Sequence, residues 1–169
     1  MSLVTPPPDR IYLLRHAKSG WALPGQRDFD RSLDDAGYAE AELVADAASE
    51  KNYRPDLLIS STAVRCRQTA DAIQRAFPGE MECRFVDDLY NAPADNYLEI
   101  LSALQGYGSV MLVGHNPAIE EVLISLAGMD AANRAIPEGY PTAGLTVLDH
   151  HTPAVAGEKP WLLTDFLVG

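Results

Sequence analysis

The chain has 169 residues, enough for one domain that buries roughly 70% of its unfolded surface without a metal or disulfide staple. Hydrophobic residues make up 47% and charged residues 22%, which excludes disorder, collagen-like repeats and coiled coil. The net charge of −11, from 24 acidic and 13 basic side chains, repels nucleic acid and anionic membranes at long range. An anionic ligand therefore requires a local cluster of arginines.

Residues 1–9, with Pro6-Pro7-Pro8, read as an extended leader before a single domain over 10–169. No basic start followed by an apolar stretch is present, which predicts no signal peptide. The longest apolar runs, such as Val110-Met111-Leu112-Val113, fall far below the ~20 residues of a membrane helix. Two cysteines, Cys66 and Cys83, make no disulfide framework, and a reduced cytoplasmic setting is expected.

Ile11-Tyr12-Leu13-Leu14 reads as a first buried strand ending at Arg15-His16, followed by a polar loop through Gly20, Pro24 and Gly25. A helix fits residues 35–51, with Ala36, Ala39, Leu43 and Ala47 on its inward face. Leu57-Leu58-Ile59 is a second strand, and the hydroxyls of Ser60, Ser61 and Thr62 suit a helix cap. The next helix runs to about Phe77, burying Cys66, Thr69, Ile73 and Phe77, and stops at Pro78-Gly79. Cys83-Arg84-Phe85-Val86 is a third strand, residues 94–105 a helix, and residues 110–113 a fourth strand leading into Gly114-His115. Asn116 as cap and Pro117 as first helical residue open another helix. Two β-type runs, residues 145–148 and 161–168, complete the chain. Strands alternating with helices predict an α/β fold, a single-domain α/β/α sandwich around a mainly parallel sheet.

Ligands of such sheets bind beyond the carboxyl ends of the strands. Three strands there run into Arg15-His16, Ser60-Ser61 with Arg65 nearby, and His115-Asn116. Two histidines and two arginines far apart in sequence can thus converge on one point. Arginine offers a planar fork of donors to phosphoryl oxygens that lysine lacks. A neutral histidine at pH 7 is a nitrogen nucleophile.

Leu14-Arg15-His16-Ala17-Lys18-Ser19 resembles the signature of the histidine phosphatase superfamily (phosphoglycerate mutase-like), in the form carried by SixA-type phosphohistidine phosphatases. Four more segments match in order. They are Arg31-Ser32-Leu33 with Gly37, the run from Ser60 to Ala70, Asp87-Asp88-Leu89-Tyr90, and Val113-Gly114-His115-Asn116-Pro117. Ala17 stands where many relatives have glycine, and Ser32 where they have proline.

The resemblance implies a metal-independent, cofactor-free phosphatase with His16 as nucleophile through a covalent phosphohistidine. Arg15, Arg65 and His115 would cradle the phosphoryl group, with Lys18 and Asn116 as further substrate contacts. By its place in the motif Asp88 is the expected proton donor, with adjacent Asp87 the alternative; glutamate is common there in the wider family. A phosphohistidine on a signalling or phosphotransfer protein is the expected substrate. The short stretch between Asp88 and the fourth strand leaves little room for a lid over the site. Small phosphate monoesters are the alternative substrates, and a catalytically silent phosphate-binding module is the alternative of another class.

Competing chemistries find less support. Neither cysteine is followed six residues later by arginine, since Ala72 and Leu89 stand there. Asp28-Phe29-Asp30-Arg31-Ser32 resembles an aspartate-nucleophile loop, but Pro24-Gly25-Gln26-Arg27 precedes it instead of a strand. His150-His151 lacks nearby cysteines or clustered acids and is expected to be an exposed loop pair.

Overall fold

In the computed structural model, which describes residues 8–169, strand β1 spans Arg10–Arg15 and is buried on both faces. Alternate residues go to opposite layers, Ile11 and Leu13 to one and Tyr12 and Leu14 to the other. The other strands are β2 (Leu57–Ser61), β3 (Glu82–Val86), β4 (Ser109–Gly114), β5 (Leu145–His150) and β6 (Trp161–Leu167). They form one sheet in the order β3-β2-β4-β1-β5-β6. The first four are mutually parallel, while β5 runs antiparallel to β1 and β6 antiparallel to β5.

Helices α1 (Asp35–Glu50) and α2 (Val64–Ala76) cover one face of the sheet. The opposite face carries α3 (Ala94–Ala103), α4 (Ala118–Ala127) and the short α5 (Met129–Ala135). The chain leaves β1 toward the α1 layer and leaves β4 toward the α4 layer. These strands are neighbours, with Arg15 paired to Gly114 at their carboxyl ends. Diverging connections from adjacent parallel strands open a crevice at that edge, and the site lies there.

Three local expectations are corrected. Helix α1 buries Gly37, Ala41, Val44, Ala45 and Ala48 and leaves Leu43 59% exposed, so the inward face is not Ala36-Ala39-Leu43-Ala47. Alanines around the whole helix allow more than one apolar stripe, and a close approach selects between them. A Cβ on Gly37 would overlap the Lys18 carbonyl, so this face alone lets the helix sit against the loop after β1. The residue before α2 is Ala63, with no side-chain cap; Ser61 Oγ accepts from the Ala63 N–H at 3.2 Å, inside a strand that runs through Ser61. Pro117 precedes α4 instead of opening it, and Asn116 Oδ1 accepts from the Glu120 N–H at 3.2 Å.

Because Lys18 belongs to the site loop, Gly37→Ala is expected to cost about 1–3 kcal/mol by overpacking and to reduce activity as well. Urea unfolding alongside kinetics checks this. Full activity at lowered stability would show that the loop absorbs the shift.

Candidate active site

The carboxyl ends of β1, β2 and β4 bring Arg15, His16, Arg65 and His115 around one open cavity of ≈ 760 Å³, with Lys18, Ser19, Arg31, Asn116 and Thr142 also on its walls. Each key side chain is placed by a different element. Backbone pairing of the His16 N–H with Gly114 O at 3.0 Å holds the two histidine segments together, and their rings lie 5.4 Å apart between centroids. Arg65 sits in the first turn of α2. Ala118, the first residue of α4, lines the wall with Asn116 and Pro117 before it, so the positive end of that helix borders the cavity.

His16 Nδ1 lies 2.7 Å from the Ala17 carbonyl. A carbonyl only accepts, so the proton is on Nδ1 and Nε2 keeps its lone pair. Burial, reinforced by the nearby His115, Arg65 and Arg15, pushes His16 down to about 3. The ring is neutral, with an exposed electron pair, across the whole physiological range. His115 is pushed down to about 4 by burial and by Arg65. Its Nδ1 lies 3.4 Å from Arg65 Nη2, and its Nε2 lies 2.9 Å from Ser61 Oγ. With Nδ1 accepting, Nε2 carries the proton and donates to Ser61. In this state His115 is neutral at physiological pH.

The guanidiniums are fixed from behind. Arg15 Nη1 donates to Tyr140 O at 2.7 Å, and Arg65 Nη1 donates to Asp28 O at 2.9 Å. Arg65 Nη2 also reaches Asp28 Oδ2 at 3.1 Å. Among the described residues three buried side-chain polar atoms have no hydrogen-bond partner, and two of them are Arg15 Nε and Arg65 Nε. An unpaired buried N–H costs about 1–3 kcal/mol, so the two are a local cost that the fold carries in holding both side chains at one site.

Asp88 is not brought into the site. It is exposed in a short 3-10 turn (Asp87–Leu89) and borders a separate groove with Asn96, Glu99, Ile100 and Ala103. Such a turn has three residues per revolution, so its three side chains diverge. Leu89 goes into the core, Asp87 Oδ1 accepts from Thr62 Oγ1 at 2.7 Å, and Asp88 faces outward. The same segment instead delivers Tyr90, whose ring lies 5.6 Å from His115 and whose hydroxyl donates to Asp28 Oδ2 at 2.6 Å.

Two positioning residues had no clear signal in the sequence. Asp28, whose segment resembles a nucleophile loop, instead ties Tyr90, Arg31 and Arg65 together; Tyr90 and the arginines hold its carboxyl down to about 2. Tyr97, fully buried on α3, accepts from the His115 N–H at 3.1 Å and donates to Leu89 O at 3.2 Å. The Tyr97 ring fills the space a Cβ on Gly114 would need. His150 and His151 lie far along β5 and its following loop, His151 hydrogen bonding Lys159 O at 2.9 Å. No helix among the described residues is long and apolar enough to cross a membrane.

The model of the histidine phosphatase superfamily (branch 1) matches residues 11–97, which carry Arg15, His16 and Arg65. The chain belongs to the histidine phosphatase superfamily. Within that superfamily it is of the SixA type. A proposed phosphohistidine phosphatase SixA from Agrobacterium tumefaciens is 52% identical, with a TM-score of 0.87 over 95% of this chain and 97% of that one. An uncharacterised protein of Mycobacterium tuberculosis is 34% identical over 141 residues, 80% of this chain and 85% of its own length. An uncharacterised chloroplastic protein of Arabidopsis thaliana is 34% identical over 129 residues, 70% of this chain, which spans only 59% of that protein. A histidine phosphatase whose two site histidines are both neutral has a further property. Below pH ~6.5 the unfolded chain binds protons that the native site refuses, so stability falls as the pH drops from 6.5 toward 4. Wild type should lose on the order of 1 kcal/mol per pH unit more than a His16→Ala, His115→Ala double variant in urea titrations. Equal slopes would refute the burial argument.

Proposed function

We propose that this phosphatase hydrolyses phosphohistidine on a signalling or phosphotransfer protein, through a covalent intermediate on His16. The observation that carries the reading is the state of the carboxyl groups. Asp28, beside Arg65, is held ionised at about 2, and Asp88 faces another groove. Asp87, the alternative donor, is tied to Thr62 Oγ1 and also stands outside the cavity lining, so none of the three hands a proton to a departing alkoxide at neutral pH, and an alkyl phosphate ester leaves poorly without one. A phosphohistidine leaves differently: once its other ring nitrogen is protonated, it departs as neutral imidazole.

His16 Nε2 attacks phosphorus in line while the substrate P–N bond breaks, and its electron pair returns to the leaving imidazole nitrogen. One P–N bond replaces another, so the step is close to balanced in energy. The charge spread over the equatorial oxygens meets the two guanidiniums and the start of α4. Water then attacks phosphorus, the His16–phosphorus bond breaks with its electron pair returning to Nε2, and inorganic phosphate leaves with both of the water's protons, one of which passes on to solvent. Ala17 O keeps the Nδ1 proton in place throughout, so Nε2 is presented again for the next turnover.

Free phosphohistidine should be hydrolysed at least tenfold faster, in kcat/KM, than an alkyl phosphate monoester. Asp88→Asn should change neither rate by more than about twofold. A strong preference for the alkyl ester, or a large Asp88→Asn loss confined to it, would overturn the reading and restore Asp88 as donor. With p-nitrophenyl phosphate, after allowance for the substrate's own ionisation, kcat/KM should show no enzyme limb near pH 6.5, because His16 titrates near 3 and His115 near 4 in the free enzyme.

A further inference from the structure

The loop after β1 borders the cavity through Lys18, Ser19 and Arg31, yet its most apolar residues point away from everything. Trp21 is 94% exposed and Leu23 68%, and Trp21 is the most exposed large apolar side chain among the described residues. The loop is nevertheless well tied. Ser19 bridges to Leu33, the Gly20 N–H donates to Ser32 O at 3.1 Å, and Arg31 Nη1 donates to Gly20 O at 2.9 Å. A turn closed by the Gln26 N–H donating to Leu23 O at 2.8 Å presents Leu23. Two peptide units place Trp21 Cα no more than ~7.6 Å from that of Ser19 on the cavity wall.

Trp21 and Leu23 stand outside the cavity lining, so a ligand confined to the cavity gains nothing from them. Only a ligand that continues over the rim can cover them. A phosphorylated protein does so, and it meets a chain of net charge −11 whose long-range field does not draw it in. Lys18 and Arg31 serve the phosphoryl group at the mouth, and the remaining affinity must come from short-range burial, for which tryptophan is the most effective side chain. We propose that Trp21 and Leu23 are the docking anchor for the protein that carries the phosphohistidine, pressing into an apolar patch beside the phosphorylated side chain. This rests on the P–N substrate reading above.

The test compares one tryptophan-free phosphotransfer domain, phosphorylated on histidine with phosphoramidate, against free phosphohistidine. The Trp21→Ala, Leu23→Ala double variant should lose at least tenfold in kcat/KM on the domain and less than twofold on the free amino acid. Equal losses on both would make the loop a part of the cavity wall, and no loss on either would leave the pair without a role; each overturns the proposal. Trp21 also reports directly, because the other tryptophan, Trp161, is 2% exposed. In a His16→Ala background the emission should shift to the blue with the phosphorylated domain and stay unchanged with free phosphohistidine. An unshifted spectrum at saturating domain overturns docking. Wild type that cleaves free phosphohistidine but not the domain sinks the docking proposal and leaves the bond reading intact. Failure on free phosphohistidine itself sinks the bond reading.

Discussion

His16→Ala is expected to lower kcat/KM by on the order of 10⁴-fold or more, the scale for removing a nucleophile that acts with its neighbours as a unit. The reason lies in the tautomer. With Nδ1–H donated to Ala17 O at 2.7 Å, Nε2 carries an electron pair that no proton covers at neutral pH. Neither cysteine can take its place, since burial pushes Cys66 up to about 12, and Cys83, also raised by burial, stands on β3 outside the cavity lining. Rapid quenching of the wild type in alkaline denaturant with a 32P-labelled substrate should leave label on His16, stable to base and lost in acid. The variant should carry none. Label on Asp28 would instead revive the aspartate-nucleophile reading, and binding of phosphate without turnover in the wild type would reduce the protein to a phosphate-binding module.

Much of this candidate site is legible in the sequence, because its chemistry sits where apolar runs stop. A strand buried on both faces announces its end by the first polar residues, and those are Arg15-His16 and His115-Asn116. The parallel sheet then follows from strands and helices in alternation, and it places those ends on one edge. What stayed hidden depends on rotation within a turn or on contacts across the chain. Asp87, Asp88 and Tyr90 lie within four residues, and only the 3-10 turn and its exit decide that Tyr90 reaches His115 while Asp88 turns outward. Asp28 lies in a segment without apolar periodicity, and its meeting with Arg65 is a matter of loop path. The inward face of α1 could not be separated from its neighbours by alanine spacing alone; the contact of Gly37 with the Lys18 backbone decides it. Helix α5, seven residues without a stripe, left no pattern to read.

Arg65→Ala is expected to cost about 10²–10³-fold in kcat/KM, the range for removing one preorganised donor from a charge-stabilising site. Arg65 is 5% exposed and its fork is aligned in advance by Asp28, so no reorganisation is needed when charge develops. Its loss acts twice. The phosphoryl group loses a fixed cation, and the Asp28 carboxylate is left close to His115 with less positive charge to balance it. Since Arg65 helps to hold His115 down near 4 and Asp28 pulls it upward, the His115 pKa must rise in the variant. The limb that His115 sets near 4 in the wild type should then move toward the neutral range in the kcat/KM profile. Arg65→Lys restores a point charge but not the planar fork, so it should recover the His115 pKa more fully than the rate. That separation of pH profile from rate distinguishes a phosphoryl-binding guanidinium from a merely structural one. If alanine costs less than tenfold, or if lysine restores rate and profile together, Arg65 acts only through its charge and Arg15 is the principal ligand of the phosphoryl oxygens.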